Sequence, residues 1–194
     1  MKKAIILIAA VFFGAAVATA QEQTFTKGTN IGGIGIGFGG NLYSGLSGSG
    51  VSKIPAITAF YERGVKDQLF DEKSSLGIGG VLGYKHAKYE ENLGWLGNFG
   101  WKSTSIIIGA RGTLHYALID KFDTYTSLTL GYNIVSWKWL DDSTGGLSST
   151  AAAASGFTWT WNIGARYFVT EQIAAFAELG YGFSVLNLGA VYKF

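Results

Sequence analysis

An all-β chain folded as an eight-stranded antiparallel up-and-down transmembrane β-barrel is the architecture this sequence predicts, on three observations. Apolar residues alternate with polar residues or glycine, with a period of two, through segments of about ten residues. Polar or glycine-rich connections separate the segments. Aromatic residues gather toward both ends of the segments rather than in their middles.

The composition agrees. Hydrophobic residues make up 48% of the 194-residue chain and aromatics 15%, with 29 Gly, one Pro and no Cys. This mixture suits strands and tight interiors better than a helical bundle. Without Cys there are no disulfides and no thiolate metal sites.

Residues 1–20 read as an export signal. Lys2 and Lys3 make a positive start, Ala4 to Val17 an apolar stretch, and Ala18-Thr19-Ala20 a small-residue cleavage site before Gln21. The apolar stretch is shorter than the ~20 residues a membrane-spanning helix needs. Residues 21–194 then form the barrel domain. Removing Lys2 and Lys3 leaves 13 Lys and Arg against 13 Asp and Glu, so the mature chain is formally neutral and has no global electrostatic attraction to nucleic acid.

The strands follow in order. In Asn30 to Gly39, Ile34, Ile36 and Phe38 alternate with Gly33, Gly35, Gly37 and Gly39. The second, Ala56 to Gly64, sets Ile57, Ala59 and Tyr61 against Thr58, Phe60 and Glu62. The third sets Leu76, Ile78, Leu82 and Tyr84 against Gly77, Gly79, Gly83 and Lys85. The fourth places Ile106, Ile108, Ala110, Leu114 and Tyr116 opposite Ile107, Gly109, Arg111, Thr113 and His115.

In the fifth, Leu128, Leu130, Tyr132 and Ile134 face away from Ser127, Thr129, Gly131 and Asn133. The sixth opposes Phe157, Trp159, Trp161, Ile163, Ala165 and Tyr167 to Thr158, Thr160, Asn162, Gly164 and Arg166. The seventh carries Ala175, Ala177, Leu179, Tyr181 and Phe183 against Phe176, Glu178, Gly180 and Gly182. The eighth carries Leu188, Ala190, Tyr192 and Phe194 against Asn187, Gly189, Val191 and Lys193.

Alternation alone also fits a soluble barrel with its apolar face inward, and aromatic placement separates the two. With neighbouring strands antiparallel, Tyr61, Tyr116, Tyr167, Tyr192 and Phe194 collect at one end, and Tyr84, Tyr132, Trp159, Tyr181 and Phe183 at the other. Two such girdles match the two interfaces of a bilayer. The other face carries many Gly, Ser and Thr, as an eight-stranded interior just wide enough for side chains requires.

Long connections are expected at about Gly40 to Lys53, His86 to Lys102 and Trp139 to Ser155, with short turns at Leu118 to Phe122 and Val169 to Gln172. Long loops outside and short turns inside are typical of such barrels. Two links depart from this: Val65 to Ser74 is long for an inner turn, and the link near Ser184 is short for an outer loop.

At this point the chain resembles the small outer-membrane β-barrels of the OmpA, OmpX and OmpW type, the OmpW-like or "outer membrane protein beta-barrel domain" proteins above all. The resemblance spans residues 21–194. It is carried by Gly-Ala-Arg-Tyr at Gly164 to Tyr167, Glu-Leu-Gly-Tyr-Gly at Glu178 to Gly182, and the closing Leu188 to Phe194. It implies residence in the bacterial outer membrane, contact with outer-membrane lipid, and a C-terminal assembly signal at Tyr192 and Phe194 read by the barrel-assembly machinery. The family is functionally mixed, so the resemblance implies no reaction and no ligand.

On the polar face sit Glu62, Arg111, Arg166 and Glu178, with Lys85, His115 and Lys193 nearer the strand ends. An unpaired charge in a narrow interior costs several kcal/mol, so these four are expected to pair as an ion-pair core rather than line an ion path.

Other signals point away from chemistry. Gly35 to Gly40 has the spacing of a dinucleotide-binding fingerprint, but the required helix does not follow; Asn41 to Gly50 is a Ser/Gly loop. His86 falls where a strand meets an outer loop with no forced Ser neighbour, and His115 shares its face with Thr113 as a core hydrogen-bond partner, so no nucleophile-base pair is expected. No metal-ligand spacing appears, and no cofactor is expected.

Function is left to the outer loops. Lys85 to Trp101 mixes Lys88, Glu90, Glu91, Trp95, Phe99 and Trp101, residues that suit either a partner or lipid headgroups, and Ser148 to Gly156 is a Ser/Ala tract suited to a loop tip. The expected role is a structural or adhesion barrel acting through its loops. A narrow channel for ions or small solutes is the alternative, and a lipid-modifying enzyme is a third reading.

Overall fold

The computed structural model describes residues 23–40, 51–92, 98–141, 150–151 and 155–194. Eight strands close a ring: β1 (Asn30–Phe38), β2 (Val51–Asp67), β3 (Ser74–Asn92), β4 (Asn98–Ile119), β5 (Phe122–Asp141), β6 (Gly156–Phe168), β7 (Ile173–Tyr181) and β8 (Leu186–Lys193). Each strand pairs antiparallel with its sequence neighbours, and β1 pairs with β8 to close the barrel, Ile34 opposite Ala190 and Gly35 opposite Gly189. Thr150–Ala151 adds two paired residues to the outer end of β5. No helix occurs among the described residues. Around the closed part of the ring every described strand has a partner on both sides, so that part has no row of unpaired backbone groups.

The apolar faces point outward. Ile34 is 68% exposed and Ile108 57%, whereas their neighbours Ile107 and Arg111 are buried. Burying apolar groups is the usual driving force in water; a barrel that inverts this has an exterior suited to an apolar solvent. At one end Tyr61, Tyr116, Tyr167, Tyr192 and Phe194 ring the exterior, with Tyr61 and Phe194 6.3 Å apart. At the other, Trp159 and Tyr181 pack at 5.3 Å.

Phe183 does not join that second girdle. Gly182, at φ +117°, turns the chain over after β7, so Phe183 drops into the barrel mouth, 4.5 Å under the Lys85 ammonium. The strict alternation expected through residue 183 fails because β7 ends at Tyr181 and a four-residue turn, closed by Gly180 N–H donating to Val185 O at 2.9 Å, follows.

Strand lengths also differ from expectation. β2 starts at Val51 rather than Ala56, and much of His86 to Lys102 is ladder rather than loop, paired as far as Asn92 opposite Asn98. The β3–β5 sheet therefore rises beyond the ends of β1, β7 and β8. The Val65 to Ser74 connection shrinks to residues 68–73 and is held by Ser74 Oγ, which accepts from the backbone N–H of Phe70 and Asp71 at 2.9 and 3.1 Å. Residues 1–22, Trp95 and most of the Ser148 to Gly156 tract lie outside the described residues.

The interior holds bulky rings as well as the expected small residues. Phe60, Phe176, Tyr125 and Phe168 are buried, the first three fitted against glycine backbone that lacks a side chain. A Cβ on Gly164 would come within 2.6 Å of the Tyr125 ring, and one on Gly83 within 2.6 Å of both Ile107 and Phe183. Inward glycine is thus the space that lets an eight-stranded ring contain aromatics.

Candidate functional site

Three places hold the candidate residues: the lumen, the mouth and the C-terminus. In the lumen, inward positions of five strands bring six ionisable groups together. Arg166 Nη2 on β6 lies 2.6 Å from Glu62 Oε2 on β2, and Arg111 Nη2 on β4 lies 2.6 Å from Glu178 Oε1 on β7. Arg166 Nη1 also reaches Asp123 Oδ2 on β5 at 3.4 Å. Glu178 accepts further hydrogen bonds from Tyr125 OH at 2.8 Å and Asn187 Nδ2 at 3.2 Å.

His115 lies between two carboxylates. Its Nδ1 is 2.9 Å from both Asp123 oxygens, and its Nε2 contacts Glu62 Oε1. A ring nitrogen facing a carboxylate must carry a proton, so this placement calls for the doubly protonated imidazolium. Three cations, Arg111, Arg166 and His115, then balance three anions, Glu62, Asp123 and Glu178. The guanidiniums are also covered by rings, Arg166 over Tyr125 at 4.3 Å and Arg111 over Phe60 at 4.7 Å.

Glu62, Arg111, Arg166 and Glu178 are thus brought together, but not as a closed set of four. Asp123, Tyr125 and His115 complete the network. Asp123 and Tyr125 occupy the same inward parity as Ser127 and Thr129, so extending the fifth strand to Phe122 reveals them. Phe25 carries no such signal: it precedes β1, outside any alternating run, yet it stacks on His115 at 3.9 Å and its carbonyl accepts from Ser75 Oγ at 3.0 Å. Residues 25–29 thereby cap the lumen, with Gly28 N–H donating to Gly64 O at 2.9 Å.

Above the network the lumen keeps a cavity of about 30 Å³ beside Arg111, Thr129 and Phe183, room for about one water. Lys85 spans the next level, donating to Gly39 O at 3.0 Å. Toward the other end, Lys193 lies 5.1 Å over the Phe168 ring.

Each described histidine has a defined partner. His115 Nε2 faces Glu62 rather than a hydroxyl, so it has no nucleophile to activate. His86 is not at a loop junction; it lies within the β3–β4 ladder on the outer face, its Nδ1 3.0 Å from Thr104 Oγ1.

At the mouth, the raised β3–β5 sheet turns one face toward the barrel axis. Tyr89, Trp101 and Trp137 share that face, with Tyr89 and Trp101 stacked at 6.4 Å and Trp101 and Trp137 5.0 Å apart. At the opposite end Tyr192 and Phe194 stack at 6.2 Å on the exterior, Phe194 being 63% exposed.

No family model matches the chain, and no curated protein matches it. Among solved structures it is similar to the attachment invasion locus protein Ail of Yersinia pestis, crystallised in complex with the heparin analogue sucrose octasulfate. The identity is 13%, the TM-score 0.53, and the match covers 87% of this chain and 100% of that one. A second crystal structure of Ail matches over the same shares at 11% identity and a TM-score of 0.47. This chain therefore has the closed eight-stranded antiparallel barrel fold seen in Ail.

Proposed function

We propose that residues 1–20 are an export leader and that the remaining chain is an integral outer-membrane barrel of the small OmpW-like kind, acting by adhesion through its raised sheet. The apolar exterior bounded by two aromatic girdles supports membrane residence. A capped and filled lumen supports a non-conducting barrel, and His115 held between carboxylates supports a non-enzymatic one. On this reading the partners are membrane lipid, the barrel-assembly machinery and an external ligand.

The observation that carries the adhesion reading is the aromatic row of Tyr89, Trp101 and Trp137 above the mouth. Rings held on paired strands offer a stacking face at little entropic cost. Ail, which shares the fold, was crystallised with a heparin analogue, so a saccharide is the ligand class to test first.

Cells displaying the protein should adhere to heparin-coated surfaces, and the double variant Trp101→Ala/Trp137→Ala should lose most of that adhesion while keeping the difference in gel mobility between boiled and unboiled protein that marks a folded barrel. Equal adhesion by the folded variant would refute the reading. Discrete current steps in planar bilayers would favour a channel instead.

A further inference from the structure

The outward face of the same raised sheet carries a composition change that barrel closure does not require. Successive rungs lie in direct register across β3, β4 and β5. Tyr84, Ile106 and Ile134 form one rung, His86, Thr104 and Ser136 the next, and Lys88, Lys102 and Lys138 the one beyond. The face passes from apolar to neutral polar to cationic within five residues of strand.

Three lysines side by side are unfavourable on their own. Paired strands lie ~4.8 Å apart, and like charges directly opposite destabilise a sheet. Glu90, one rung further out on β3, forms an ion pair with Lys88, one carboxylate beside three ammonium groups. Such a row persists most readily where an anion offsets the repulsion.

Depth and direction identify the anion. The lysine rung lies four residues beyond the last apolar rung, ~13 Å along strands rising ~3.3 Å per residue, and ~10 Å in height at a tilt of ~40°. Headgroups occupy ~5–8 Å on each side of the hydrocarbon, so flexible lysine stems bring their charges to that layer. The row faces away from the barrel axis, toward lipid, whereas the mouth-side face of the same strands is aromatic. Among the described residues this cationic rung is confined to the raised sheet, since β1, β6, β7 and β8 end at or near outward Phe38, Phe157, Tyr181 and Leu188.

We propose that Lys88, Lys102 and Lys138 form a binding site for the phosphates of an anionic lipid in the outward-facing leaflet. Glu90 limits its strength by occupying Lys88. This site rests on the membrane-barrel reading above and is separate from the aromatic adhesion face.

The test uses the full mature barrel in zwitterionic detergent, titrated with bisphosphorylated lipid A, with its dephosphorylated form and with heparin. The wild type should prefer the phosphorylated lipid. Each Lys→Gln change should weaken that binding about fivefold, the triple variant should show no preference, and Glu90→Gln should tighten binding. If the triple variant does not fold, Lys102→Gln and Glu90→Gln moving in opposite directions still decide the matter.

Equal affinity for the two lipids, or selectivity that survives in the triple variant, would overturn the proposal. So would heparin binding that alone depends on these lysines, since the row would then serve a soluble polyanion. Failure of the membrane reading shows separately, as a protein that stays soluble and monomeric without detergent.

Discussion

Arg166 on β6 and Glu62 on β2 meet at 2.6 Å across the centre of the barrel, and neither side chain has any exposed surface. Strands two and six stand opposite one another in a ring of eight, so this pair spans the lumen as a strut. Arg111 and Glu178 join β4 to β7 in the same way. The apolar core of a soluble protein is replaced here by paired charges that brace the wall from within.

Breaking the strut should therefore be costly. Arg166→Met leaves Glu62 and Asp123 short of a cation and should destabilise the barrel by about 3–5 kcal/mol. The double variant Arg166→Met/Glu62→Leu should recover part of that loss. Urea unfolding followed by gel mobility in lipid vesicles measures both; a single variant as stable as wild type would show that the pair bears no load.

Adjacent residues on β4 separate the two faces. Ile108 is exposed on the apolar exterior and Ile107 is buried in the lumen. If the apolar band spans a bilayer as proposed, Ile108→Arg should cost about 2–4 kcal/mol, whereas Ile108→Leu should be nearly neutral. A soluble barrel would show the reverse ranking, the outward arginine being tolerated in water.

Outside the apolar band of the exterior, Tyr116 OH donates to Asp71 Oδ2 at 2.9 Å in the β2–β3 turn. Desolvation, the largest single influence, pushes the Asp71 carboxyl up, but hydrogen bonds from Tyr116, Lys73 and Ser74 together more than reverse it, leaving the group below its ordinary value. A depressed carboxyl stabilises the turn above its unfolded-state pKa and loses that contribution as pH falls through the folded value. Tyr116→Phe should raise the Asp71 pKa toward that of a free aspartate, as NMR titration would report. The effect on overall stability should be small, because the carboxylate is fully solvated.

The C-terminal ring stands on the exterior with no lumenal role. If Tyr192 and Phe194 are the assembly signal, Phe194→Ser should slow insertion by the barrel-assembly machinery in cells. Refolding of the same variant in detergent should proceed nearly as for wild type. Equal assembly rates in cells would remove the signal from Phe194.

Much of the wall was legible because each segment repeats a two-residue rule that backbone geometry imposes locally. Ile34, Ile36 and Phe38 against glycine on β1, or Trp159, Trp161 and Ile163 against Thr160 and Asn162 on β6, can be assigned to faces without knowing any neighbour. Phe183 was misplaced because one glycine at positive φ reverses the rule. The β3–β4 extension was missed because its polar residues look like loop until the opposite strand is present to pair with them.

Alternation by itself determined that this chain has two faces, how many strands carry them, and which side chains share a face. Pairing in three dimensions decided what those side chains meet: Glu62 with an arginine 104 residues away, His115 between two carboxylates and under Phe25, three lysines in one rung. Period-two order is a property of the local backbone, whereas register and closure depend on hydrogen bonds between segments far apart in the chain. Contacts across a lumen exist only once the ring has closed.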